Sequence, residues 1–201
     1  MIAKKAFPLE DIIKRFIHER EIPEGWKPTC TTRDLYAELS EPIVKKAVEW
    51  QDDTGRIIDP ILEVETSTAT PRFVGALGFL IREGRCLDLV DVCAKSMTVA
   101  SKDLYNASKR PVSGPEFYVK ELIVGYLALK DKVKKSLVDM WEHRLGDYDP
   151  EKTYAAVFSK MNPDKVRNVC TFALAGEGLK LYYGLSENAE FIERYLGHQL
   201  Q

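Results

Sequence analysis

A chain of 201 residues with 45% hydrophobic side chains is long enough to bury a core, and 29 Lys and Arg against 31 Asp and Glu leave a formal charge of -2. That balance lacks the basic patch of a nucleic-acid binder, so no nucleic-acid partner is expected. No stretch approaches the roughly eighteen continuous apolar residues of a membrane span, so no membrane partner is expected either.

Residues 1–14 carry no apolar run of an export signal, so the chain reads as soluble and cytoplasmic as written. A secreted parent whose leader has been removed would read the same way. Apolar residues recur three and four apart, and strand-length alternation is scarce, so the expected fold is all-α. A first helix is expected over Leu9 to about Glu19, stopped by Ile22-Pro23-Glu24-Gly25. Thr31 or Thr32 then caps a helix running to about Trp50, with Pro42 marking a kink or break. Residues 51–60, with turn chemistry at both ends, read as an ordered loop.

From Thr68 a helix carries Phe73, Ala76, Leu77, Leu80 and Ile81 on one face and stops near Gly84. Cys86 to Tyr105 follows as its partner. After Pro111, Gly114 and Pro115, a third long pattern spans Glu116 to about Lys130, and a polar helix continues to Arg144. Asp149-Pro150-Glu151 opens a short helix to Lys160, and Asn162-Pro163-Asp164 opens a longer one that Gly184 closes. Ser186 caps a last pattern containing Phe191, Ile192 and Tyr195. The four cysteines, at 30, 86, 93 and 170, match neither a zinc ligand set nor a bridge and read as buried free thiols.

Three of these helices hold small residues in their middles: Gly75-Ala76-Leu77-Gly78, Gly125-Tyr126-Leu127-Ala128 and Ala173-Leu174-Ala175-Gly176-Glu177-Gly178. Their marker glycines, Gly75, Gly125 and Gly176, lie 50 and 51 residues apart, a repeat at hairpin length. Glycine inside a helix costs about 1 kcal/mol against alanine, and close approach of neighbouring backbones is the packing reason that offsets it. These three are the expected inner helices, with polar ones such as Lys132 to Arg144 outside. The period is longer than tetratricopeptide or HEAT repeats and favours an α/α toroid over an open solenoid.

Gly55-Arg56-Ile57-Ile58-Asp59-Pro60, Glu65-Thr66-Ser67-Thr68-Ala69-Thr70 and Phe172-Ala173-Leu174-Ala175-Gly176-Glu177-Gly178 together resemble the bacterial α/α-toroid proteins near the heparinase II/III and alginate lyase group and an uncharacterised relative of it. The likeness spans residues 50 to 200, and its motifs are signatures of fold more than of chemistry. It implies one helical-hairpin domain over residues 1–201, an N-terminal part of a toroid. It also implies a polysaccharide lyase or glycoside hydrolase acting on an oligosaccharide or polysaccharide. No motif calls for a cofactor or a metal, and none is expected. Chains exposing the edges of inner helices are expected to pair as homodimers. The competing expectation is a non-enzymatic helical-repeat module that binds a protein or peptide.

In toroids of this resemblance the groove lies at the starts of the inner helices, where free N-H groups suit the carboxylates of uronic acids. Tyr118 and His143 are the candidate bases, and Asn168, Arg167 and Lys120 the candidate charge neutralisers, of a lyase. Glu63, Glu65 and Glu116 are the carboxyl stock of a hydrolase. Asp59 joins the polar residues before the first inner helix, and Trp26 is the candidate for stacking on a sugar ring. Plainer readings stand beside these: Glu65 as a helix cap, Tyr118 as core, His143 as a surface residue, Trp50 and Trp141 as packing.

Overall fold

The computed structural model describes residues 32–66, 68–107, 114–154 and 167–199, with the backbone alone at 167–170 and 195–199. The chain divides into two compact units, Met1–Leu35 and Tyr36–Gln201, and the packing below is that of the second. The helix expected over Leu9 to Glu19 lies outside the described residues. Among those residues the chain is all-helical, its one extended pairing a single bridge between Gln51 and Ile57. The helices are α1 (Thr32–Val48), α2 (Ala69–Arg82), α3 (Val90–Ala107), α4 (Pro115–Leu129), α5 (Lys135–Gly146), α6 (Pro150–Thr153), α7 (Arg167–Tyr182) and α8 (Glu190–Gln199). None is long and apolar enough to cross a membrane.

Local chemistry sets the ends. Gly84, at φ 75°, stops α2, where the Arg85 N–H donates to Leu80 O at 2.9 Å; Gly184, at φ 68°, stops α7 with the same bond from Leu185 to Lys180 O at 2.8 Å. Pro115 opens α4, where its missing N–H leaves no helical carbonyl unpaired. Asp149 caps α6 by accepting from Lys152 N.

Three boundaries differ from expectation. Pro42 lies inside α1 without breaking it, a tolerated loss of one backbone bond at an exposed position. Cys86 takes a left-handed φ of 53°, so the partner of α2 begins with a 3-10 turn, Leu87–Leu89, before α3. Asn188, rather than Ser186, supplies the oxygen that accepts the Glu190 N–H at 3.0 Å, and α8 starts there. Cys86 and Cys93 are buried free thiols, and burial pushes Cys93 up to about 12.

The helices α2, α4 and α7 lie side by side in one layer. Gly75 meets Glu121, Gly78 meets Gly125, and Gly176 meets Val119. Residue numbers rise together from Gly75–Glu121 to Gly78–Gly125 and from Phe117–Phe172 to Val119–Gly176, so the three run parallel. A Cβ on Gly78 would stand 2.9 Å from the Gly125 Cα, which is why this crossing requires glycine on both sides. The returning helix α3 covers α2 and α4, α5 packs on α3, and α8 packs on α7. Leu77, Met97, Leu122 and Trp141, all fully buried, fill the space between the layers.

Candidate functional site at the shared helix starts

Parallel inner helices place their N-terminal ends at one end of the layer, and there α3 finishes. Residues 50–58 form a strap along α3. Gln51 Nε2 donates to Val92 O at 2.9 Å and Ser96 Oγ at 2.8 Å, and the Ser96 hydroxyl donates to Gly55 O at 2.7 Å. Gly55, at φ 100°, lets the strap touch the Lys95 backbone; a Cβ there would sit 2.8 Å from Lys95 C.

The strap delivers Arg56 to the end of α3, where Nη1 pairs with Asp103 Oδ2 at 2.7 Å and with Glu65 Oε2. Glu65 also accepts from the Thr70 hydroxyl, whose oxygen accepts the Ile57 N–H at 2.9 Å. The hydrogen bond to Asp103, outweighing partial burial, and the bond to Glu65 raise the Arg56 guanidinium further, so it stays cationic. At the same end of the layer lies Glu116, in the first turn of α4 and only 7% exposed. Burial pushes its carboxyl up, and among the described residues its only hydrogen bond comes from its own backbone N–H. Tyr118 is buried, and burial followed by the charges of Asp103, Glu116 and Glu65 pushes its phenol up, so all three carboxylates act on that one hydroxyl.

An aromatic pair flanks the cluster. Phe117 and the more exposed Phe172 stand 5.6 Å apart between centroids, with Lys120 Nζ 5.0 Å from the Phe172 ring. Lys120 donates to Phe117 O at 3.0 Å and to Glu121 Oε1 at 2.8 Å.

A second polar group is sealed inside. Glu177 Oε1 accepts from Tyr148 and from Tyr154 (2.8 Å), and Oε2 pairs with Lys180 Nζ at 2.8 Å. Lys180 Nζ also lies 3.7 Å from the centre of the Tyr148 ring. Burial, joined by the neighbouring Glu177, pushes both tyrosines well up, whereas burial lowers Lys180 against the pull of Glu177. This group ties α7 to residues 148–154, and with every member at most 5% exposed it is a structural element.

Of the residues singled out by sequence, Glu65, Glu116, Tyr118 and Lys120 gather at this end. Asp59 does not join them: its Oδ1 accepts from Ile61 N (2.8 Å) and Leu62 N (2.9 Å), which holds a turn. Glu63 is exposed, at a left-handed φ of 54°. His143 faces solvent on α5, paired with Asp147 Oδ2 at 2.5 Å and tilted against Tyr105. Trp26 and the side chains of Arg167 and Asn168 lie outside the described residues. Trp141 is core, its Nε1 donating to Thr98 Oγ1 at 3.2 Å.

Sequence reasoning missed Arg56 as a site residue, Asp103 and the Phe117–Phe172 pair. One signal was available: an aspartate near the C-terminal end of a helix opposes the macrodipole and asks for a partner elsewhere. Among the described residues no group of three or more His, Cys, Asp or Glu is arranged to hold a metal ion. Comparison with protein-family models, with curated proteins and with solved structures finds no match to this chain.

Proposed function

We propose that the chain is a carbohydrate-active protein of the α/α-toroid kind that cleaves glycosidic bonds by acid–base chemistry of the hydrolase type. The observation that supports this reading is Glu116, a buried residue whose carboxyl takes no hydrogen bond from another described residue, at the same end of the layer as Glu65 and Asp103, which Arg56 holds. Glycoside hydrolases divide their work between two carboxyl groups in different surroundings. Glu116 takes the role of proton donor, and Asp103 or Glu65, each paired with Arg56, that of the second carboxyl. Tyr118, pushed up by burial and three carboxylates, suits a hydrogen-bond donor better than the base a lyase needs.

The test is a panel of neutral, amino-sugar and uronic oligosaccharides, scored for reducing ends and for absorbance at about 235 nm, where the unsaturated product of a lyase absorbs. The expected result is reducing-end release without that absorbance, lowered at least about 100-fold in Glu116→Gln. Absence of both turnover and binding across the panel overturns the reading. A non-enzymatic interaction module is the second reading, favoured by Tyr36, Leu39 and Ile43, which leave one stripe of α1 50–67% exposed. It predicts that Glu116→Gln leaves every binding property unchanged.

A further inference from the structure

We infer that α1 is the self-association surface of this protein, through which two copies pair as antiparallel helices about a two-fold axis. Over residues 36–48 the helix buries Ala37 and Val44 and turns its opposite face outward. Leu39, Pro42, Ile43 and the aliphatic stem of Lys46 recur three and four residues apart along that outer face, with Leu39 61% and Ile43 67% exposed. Tyr36 borders it, its ring edge-on to Phe79 with 4.9 Å between centroids. A helix lying on a folded core keeps its outward face polar; an aliphatic stripe there belongs to a helix that meets a second surface.

The order of charges identifies that surface as another copy of the chain. In this stretch both acids, Glu38 and Glu41, precede both bases, Lys45 and Lys46. A half-turn about an axis near residues 41–42 exchanges the two halves, setting Leu39 on the Ile43 of the second copy and Glu38 beside its Lys45. Glu38 and Lys45, seven residues apart, share one flank of the stripe, and in an antiparallel pair equivalent flanks face each other. Parallel pairing would instead set Glu38 on Glu38 and Lys45 on Lys45. A pattern that complements itself under two-fold rotation suits an isologous interface, and a formal charge of -2 per chain adds little repulsion between copies. Lys45 is free to be shared. Its bond to Glu41, at 2.7 Å, is an exposed pair one helical turn apart, and Glu41 keeps Arg85 at 2.7 Å when Lys45 turns away. One helix face lies at the small end of specific interfaces, so the dimer is expected to dissociate in the micromolar range.

Sedimentation equilibrium of the whole chain, from low to high micromolar protein, tests the assignment. A monomer–dimer equilibrium is expected, and Ile43→Glu, at an exposed position that leaves thermal unfolding unchanged, is expected to weaken it at least about tenfold. Glu38→Lys and Lys45→Glu are each expected to weaken it at least about threefold, and the two combined in one chain to restore it within about twofold, which parallel pairing cannot produce. A strict monomer throughout that range, with the stripe bare or taken by another protein, overturns the inference. So does a dimer indifferent to Ile43→Glu, or one that the paired charge reversals fail to restore. The glycan reading is untouched by any of these outcomes, because the oligosaccharide panel tests it separately.

Discussion

Glu116 carries opposing physical demands. A carboxylate in the first turn of a helix gains about 0.3–1 kcal/mol from the macrodipole, yet burial penalises its charged form, and the upward push on its carboxyl says that burial wins. A folded-state value above the usual 4.5 means the folded chain holds a proton that the unfolded chain has released. Stability is then lost as pH rises from 4.5 through the folded value. Glu116→Gln is accordingly expected to raise stability at pH 7.5 by about 1 kcal/mol, or roughly 2–4 °C in Tm, and to change little at pH 4, as scanning calorimetry will read. A fall in Tm at pH 7.5 would mean that the carboxylate is a structural anchor. The positions of Glu116, Tyr118 and Lys120 in the first turns of α4, and of Glu65 just ahead of α2, were legible because periodicity alone locates those starts. Asp103 and Arg56 were not, because what joins them is the path of the strap across α3, a long-range fact that no local pattern encodes.

At the scale of helices, the glycines separate into two kinds that the sequence presents alike. A Cβ on Gly78 would press on the Gly125 backbone, whereas one on Gly178 would meet only Ile192 Cδ1, at 4.0 Å. Gly78→Ala is therefore expected to cost about 1–3 kcal/mol through overpacking, and Gly178→Ala to add about 0.5–1 kcal/mol through helix propensity. Urea titration of the two variants checks this; equal effects would remove the close approach of α2 and α4 as the reason for the repeat. The fifty-residue spacing was readable, and with it which helices are neighbours, because a helical glycine that is not a cap needs a packing cause. Element starts were less readable. A left-handed residue such as Cys86 gives no compositional sign, and the cap at Asn188 competes with an equally suitable Ser186 two residues earlier.

At the scale of the whole molecule, a sealed polar group joins α7 to residues 148–154. Tyr148 and Tyr154 both stand well above the usual 10.0 when folded, so the folded chain keeps protons that the unfolded chain loses above pH 10. Stability falls through that window. Lys180, lowered from 10.5, works in the other direction as pH climbs to 10.5, but it is one group against two. The urea midpoint is expected to drop between about pH 9.5 and 11, and Tyr148→Phe to make the drop shallower; a flat profile would mean that the tyrosines are hydrated. Glu177→Gln, which strands Lys180, is expected to cost about 3 kcal/mol or more at neutral pH.

The parallel course of α2 and α4 also separates a rim that holds the carboxylates from a rear rim. Fourteen and fifteen helical residues put the bends at 83–85 and 130–134 roughly 20 Å from the carboxylates. A Cβ on Gly84 would have nothing within 4 Å, and Lys130 to Lys132 point into solvent or its edge. A dye, a tether or a short inserted peptide placed at either bend would ride on the molecule without reaching those carboxylates, which makes the rear rim the natural handle for immobilising this protein.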